Sequence, residues 1–231
     1  MIHLRFNLLR IASALAVIGC ASARPPGPEY QMGDAAAVQR ARADSLRYPY
    51  TKADIDFMSG MIHHHAQAIV ISRWAPSHNA DASVQRLTAR IINAQSDEIR
   101  LMQTWLKDRN QQVPQVDTAG NVTMPGGHSM AGHDMSSMPG MAMPMMPGML
   151  TPAQVKELDA ARGKDFDRLF LTYMIQHHRG AITMVRTLFA APGAGQDEMV
   201  FKFANDVEVD QGTEIKRMSS MMIEMGFTPP S

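Results

Sequence analysis

The chain repeats itself, and the repeat narrows the folds open to it. Asp54, Phe57, Met61, Ile62, His64, His65, Ala68, Ile69 and Arg73 recur as Asp167, Phe170, Met174, Ile175, His177, His178, Ala181, Ile182 and Arg186 at a constant offset of 113. Gln95, Glu98, Ile99 and Met102 recur as Gln211, Glu214, Ile215 and Met218 at an offset of 116. The change of offset falls between the two blocks, around Ala75–Ala80 and Ala191–Gln196, where a loop tolerates insertion. In each block the apolar residues follow the three-four spacing of a helical face. Each repeat therefore predicts a helical hairpin with one apolar face, and two such hairpins bury those faces most simply against each other. The expected fold is all-α: an antiparallel four-helix bundle with internal pseudo-two-fold symmetry.

Local signals place the helix ends. Thr51 followed by Asp54 predicts an N-cap with an acidic partner three residues on, and Pro76 closes that helix. A second helix runs from about Asp81 to Asn110. In the second half, Thr151-Pro152-Ala153-Gln154 combines an N-cap, a first-turn proline and a box partner. A short helix to about Arg162 follows, with Gly163 as its C-cap. Long helices are expected from Lys164 to about Ala190, ended by Pro192-Gly193, and from about Asp197 to Met225, ended by Gly226. A weaker helix covers Asp34 to Leu46. Strand signals are nearly absent.

Met61-x-x-His64-His65 and Met174-x-x-His177-His178 occupy equivalent places on symmetry-related helices. Residues three and four apart share a face, so each methionine sits beside its histidine pair. Adjacent histidines diverge by about 100° around a helix. One of each pair is thus expected to face the core or its rim, and the other to flank the groove. Thioether and imidazole ligands together suit Cu(I) or Ag(I), and imidazole with oxygen suits Cu(II). The alternative is structural: core histidines hydrogen-bonded to Gln95, Glu98, Gln211 and Glu214, setting helix register. His63, whose counterpart is Gln176, and His78 are expected in solvent. Asp54 and Asp167 are expected as caps, and the helical methionines, among them Met102, Met184 and Met218, as core filler.

Between the hairpins, residues 124–149 hold nine methionines, two histidines, four prolines and five glycines. Proline and glycine at that density exclude a helix or strand. Residues 111–150 are thus expected to form a disordered Met-rich crossover outside the bundle. His128, Met130, His133 and Met135 are spaced closely enough to converge on one soft ion; the competing reading is a spacer of biased composition.

Residues 1–19 carry a basic start (Arg5, Arg10) and an apolar stretch from Ile11 to Ile18, the pattern of a secretory signal. Val17-Ile18-Gly19-Cys20 resembles a bacterial lipoprotein box, which makes Cys20 the lipidated first residue of a periplasmic or outer-envelope protein. It is the sole cysteine, so no internal disulfide can form. Residues 20–50 would be a tether with the short helix, and 51–228 the bundle. Without residues 1–19 the chain has 20 basic and 22 acidic side chains, since the full counts of 22 and 22 lose two arginines and no acid. Near-neutrality gives no footprint for nucleic acid, so the expected partners are a metal ion and, through the anchor, a membrane.

The doubled pattern, DIDFMSGMIHHHAQAI with AQSDEIRLM and DFDRLFLTYMIQHHRGAI with DQGTEIKRM, resembles the domain-of-unknown-function 305 family (DUF305) over about residues 50–228. The resemblance implies a ferritin-like four-helix bundle, usually exported. It also implies kinship with periplasmic copper-binding members whose ligands come from Met and His. Together these give an exported, lipid-anchored protein that sequesters or delivers copper or silver and is not an enzyme. A structural or partner-binding envelope bundle is the alternative. A di-iron oxidoreductase is disfavoured, because such sites use Glu-x-x-His and none occurs here.

Overall fold

The computed structural model describes residues 37–39, 49–117, 120–123 and 146–231. The proposed signal and Cys20, most of the tether, and His128, Met130, His133 and Met135 lie outside the described residues. Contacts divide the chain into Met1–Gln39, of which 37–39 are helical, and Arg40–Ser231, the unit considered below.

That unit is an all-α bundle of two hairpins. The first pairs α1 (Lys52–Ser72) with α2 (Ala82–Asp108); after a short helix α3 (Pro152–Ala160), the second pairs α4 (Lys164–Ala190) with α5 (Glu198–Glu224). Helices α1 and α4, the two that carry the histidines, pack on each other across the hairpins. Among the described residues no helix is long and apolar enough to cross a membrane.

Both expected capping boxes form. Thr51 and Asp54 close α1, and Thr151 and Gln154 close α3. Gly163 lies between α3 and α4 with φ +56, the left-handed conformation a glycine adopts without strain, but it is the N-cap residue of α4 and Ala161 caps α3. The two repeated aspartates also join the hairpins. Asp54 Oδ1 accepts from Gly195 N (2.7 Å), and Asp167 Oδ1 accepts from Asp81 N (3.0 Å). Each repeat's first helix thus holds a backbone amide in the other repeat.

One buried ion pair breaks the symmetry. Asp197, the N-cap of α5, accepts from Trp105 Nε1 at 3.0 Å and from Met199 N and Val200 N at 3.1 Å, and it pairs with Arg109. Arg109 and Asp197 are both buried, and the guanidinium lies 4.3 Å from the Trp105 ring centre. At the repeat offset of 116 the equivalents of Trp105 and Arg109 are Met221 and Met225, so only one end of the bundle carries this lock.

The crossover departs from expectation at its described ends. Gln115–Val116 and Val122–Thr123 form a two-residue antiparallel ladder, and Asn121 N donates to Asp117 Oδ1 to close its turn. Such short strands carry too little periodicity to be read from sequence. On the far side, Met146–Leu150 lies against the bundle: Gln67 Nε2 donates to Leu150 O at 3.1 Å, and Leu150 N donates to Gln67 Oε1 at 2.8 Å. At the near end Gln103 Nε2 of α2 donates to Pro114 O at 2.8 Å, so the expectation of a crossover uncoupled from the bundle fails at both of its described ends.

Candidate metal centre

The apolar interior is split in two. One cluster holds Ala68 and Ile71 of α1, Val84, Leu87 and Ile91 of α2, Phe170 and Met174 of α4, and Met218 of α5. The other holds Phe57 and Met61 of α1, Met102 and Trp105 of α2, Val185 and Leu188 of α4, and Phe203 and Val207 of α5. Near the boundary between the two clusters, each of the four long helices carries the repeated polar residues: His64-His65, Gln95 and Glu98, His177-His178, Gln211 and Glu214. The repeat thus builds one polar layer across the middle of the bundle. Met61 and Met174, both fully buried, stand on opposite sides of it, as antiparallel symmetry requires.

All four repeated histidines are fully buried, which corrects the expectation that one of each pair flanks the groove. The 100° between neighbours is absorbed because each first helix touches two others. His64 turns to the opposite repeat, its ring centre 3.8 Å from that of His177. His65 turns to its own hairpin partner, with Nε2 2.6 Å from Glu98 Oε2, and His178 matches it with Nε2 2.6 Å from Glu214 Oε2.

Hydrogen bonding assigns the tautomers. A carbonyl or carboxylate oxygen accepts, so Nε2 carries the proton in His65, in His178, and in His64, which donates to Pro147 O at 3.0 Å. In the neutral ring Nδ1 then holds the lone pair, and all three Nδ1 atoms are buried without a protein partner. His177 has neither ring nitrogen bonded, Gln95 has neither amide atom bonded, and Gln211 Oε1 is also alone. A buried polar group left unsatisfied costs about 1–3 kcal/mol. Sequestering eight such atoms in one layer is a poor way to set register, and a good way to present donors. A histidine that donates one nitrogen to a carboxylate or carbonyl and offers the other to the interior has the arrangement of a metal ligand with its outer support. The structural reading survives only for Glu98 and Glu214, because Gln95 makes no bond to a histidine.

Among the described residues no three His, Cys, Asp or Glu side chains stand together as a ready-made metal cage. Cu(I) and Ag(I) accept low coordination numbers and thioethers, so a pair of imidazoles flanked by Met61 or Met174 meets their needs.

Burial keeps the central imidazoles neutral. Desolvation, then the neighbouring His65, lowers the His64 pKa to about 3, and the His64–Pro147 bond opposes this only in part. Desolvation and the charges of His64, His178 and His65 hold His177 well below the ordinary value. Neutral rings retain their lone pairs, as metal binding demands. The same shifts predict how the metal-free fold responds to acid. Both folded pKa values lie below the unfolded value of 6.5, so stability is full above about pH 6.5. Below that the unfolded chain binds protons the native state refuses. Stability should then fall by about 1.4 kcal/mol per pH unit for each histidine, down to about pH 3 for His64. Urea unfolding at pH 7, 6 and 5 measures the slope, and His64→Leu/His177→Leu should flatten it; an equal slope in parent and variant would refute the assignment.

The strap that reaches His64 is seated by glycines. A Cβ on Gly180 would stand 2.0 Å from Pro147 O, and one on Gly148, where φ is +77, would stand 2.6 Å from Gln176 O. Bare backbone at both places lets residues 147–148 lie across α4 and present the Pro147 carbonyl to His64. Nothing in the spacing of the Met-rich tract signals this; the one hint is that the helical Gly180 sits two residues after His178.

Two other histidines differ from expectation. His63 is half-buried, with Nδ1 donating to Ser59 O at 2.9 Å and Nε2 shielded and unbonded. His78 is buried rather than solvated, stacked on Trp74 with 5.7 Å between ring centres and bonded through Nε2 to Asp159 O at 2.9 Å. It closes the hairpin loop against α3, a long-range contact invisible in a loop sequence.

Comparison with known proteins agrees with this architecture. The family profile of the Domain of unknown function (DUF305) matches residues 54–222, and the chain belongs to that family. A candidate secreted DUF305 protein of Streptomyces coelicolor is 26% identical with TM-score 0.59, over 78% of this chain and 97% of its own. A DUF305 fragment of Deinococcus radiodurans is 25% identical with TM-score 0.56, over 76% of this chain and 99% of that one. CopM in its Cu(I)-bound form shares the fold at 23% identity and TM-score 0.52, over 76% of this chain and 98% of its own. Uncharacterized protein L153 of Acanthamoeba polyphaga mimivirus is 37% identical over 65 residues, 27% of this chain. The match spans only 43% of that relative.

Proposed function

We propose that the chain is a soft-metal binding protein that holds Cu(I), or Ag(I) in its place, in the polar layer of its bundle, and that it sequesters or delivers the ion rather than acting as an enzyme. The observation that carries this reading is the set of buried, unbonded Nδ1 atoms on His64, His65 and His178, each imidazole supported from behind by a carbonyl or carboxylate. CopM, which shares this fold, is known in a Cu(I)-bound form, and that makes copper the first ion to test. Cu(II) would engage the imidazoles and oxygens but not the thioethers. His128, Met130, His133 and Met135 are proposed as a second, lower-order capture site on the crossover.

Export and anchoring at Cys20 belong to the same proposal, supported by the signal pattern and by the Streptomyces coelicolor relative named as a candidate secreted protein. Cys20→Ser should release the chain from membranes, which fractionation measures; retention at the membrane would remove the anchor.

The test of metal binding is a Cu(I) titration against a competing chelator under reducing conditions. A variant with His64, His65, His177 and His178 all changed to Leu should lose the tightest site. Changing the four crossover residues should lower only the number of weaker ions. Unchanged copper binding in both variants would end the metal reading. The second reading, a structural or partner-binding bundle, would then stand, with the layer satisfied by trapped water.

A further inference from the structure

Gly60 and its neighbours hold a second pair of soft donors, apart from the polar layer. A Cβ at Gly60 would lie 3.3 Å from Met146 Sδ and 3.5 Å from Met184 Cε. The two methionines reach this point from different directions, Met146 from the root of the crossover and Met184 from α4. Both are half-buried, unlike the fully buried Met58, Met61, Met102, Met174 and Met218 that fill the core. A groove of about 270 Å³ opens beside Met184, lined also by Asp56, Phe57, Pro147, Thr187 and Leu188. Met146 Sδ and the Met184 methyl meet over a residue with no side chain, and both side chains are partly open to solvent, where methionine serves binding surfaces as readily as cores.

We infer that Met146 and Met184 form a separate binding site for a soft monovalent cation, Cu(I) or Ag(I), on the surface of α1 above Gly60. Thioethers select such ions and offer little to Mg²⁺ or Ca²⁺. With no side chain at residue 60, Met146 Sδ and the Met184 methyl approach the same point of α1. The position adds meaning to the site. Met146 is one residue before Pro147, whose carbonyl holds His64 Nε2. An ion at Met146 therefore sits at the hinge between the Met-rich sequence and the layer, with seven further methionines in residues 124–145 preceding it in the chain. The inference shares with the proposed function the choice of a soft ion, but not the ligands, so each can fail alone.

The test uses the intact chain with ¹³C-labelled methionine methyls, titrated with Ag(I), which is redox-stable and diamagnetic. Met146→Leu and Met184→Leu assign the two signals. Both methyls should shift with a common midpoint, and Met146→Leu should raise the Met184 midpoint at least tenfold. The paired shift should persist in the His64→Leu/His177→Leu variant. Gly60→Ala, which crowds Met146 Sδ, should weaken the site in the same direction without removing either sulfur. A Met184 methyl that ignores Ag(I), or that titrates alike with and without Met146, overturns the inference. If the pair responds while the histidines do not, the site above Gly60 stands and the layer loses its assignment.

Discussion

His64→Leu/His177→Leu should make the metal-free protein more stable, not less, by about 2 kcal/mol at pH 7. The substitution removes three buried ring nitrogens that lack partners and forfeits one bond, from His64 Nε2 to Pro147 O. Leucine fills nearly the same volume and would join the apolar clusters on either side of the layer. A gain in stability together with the loss of the tightest copper site is the mark of residues kept for function at a cost to the fold. Chemical denaturation of parent and variant, each stripped of metal, gives the difference directly. A loss of 2 kcal/mol or more would show that the imidazoles are architectural.

Asp197→Ala carries the largest expected loss, about 3–5 kcal/mol, because it removes one partner of a buried ion pair. The same change removes the cap of α5 and the acceptor for Trp105 Nε1. Set against the 5–15 kcal/mol of a typical domain, that is enough to unfold a marginal one. Asp81, its counterpart in the first repeat, is exposed and accepts from Ser83 N at 2.8 Å and Ser83 Oγ. Asp81→Ala should cost only about 1 kcal/mol, the worth of a cap. Equal losses from the two substitutions would mean the buried pair contributes little beyond capping.

Much of this molecule was legible before any coordinates. A repeat with constant offsets implies two alike hairpins. The caps at Thr51 and Thr151 and the breaks at Pro76 and Pro192 located the helices to within a few residues. The pairing of His65 with Glu98 and of His178 with Glu214 follows the repeat, since each lies on the facing helix of its own hairpin. What could not be read depends on which helices meet across the hairpins. Whether His64 meets His177, or both turn to solvent, is decided by how closely α1 and α4 approach. The Arg109–Asp197 lock joins residues 88 positions apart on different repeats and has no symmetric echo to reveal it. The strap was hidden for another reason: proline and glycine within a methionine-rich run signal irregular backbone, and irregular backbone packed on a bundle looks the same in sequence as backbone in water. The burial of His78 is hidden from the sequence on the same ground.

In the proposed site His64, His65 and His178 present Nδ1 to a soft ion while Nε2 stays bonded to Pro147, Glu98 and Glu214. Long-range ¹H–¹⁵N spectra of the imidazoles, recorded with and without one equivalent of Ag(I), test it at the atoms themselves. Without metal the three rings should show the Nε2–H tautomer. With metal, at least two Nδ1 signals from the layer, His177 included, should shift together while the Nε2 protons of His65 and His178 persist. Nδ1 signals unmoved by the ion, in a protein whose bundle is intact, would rule out the histidine layer as the metal site.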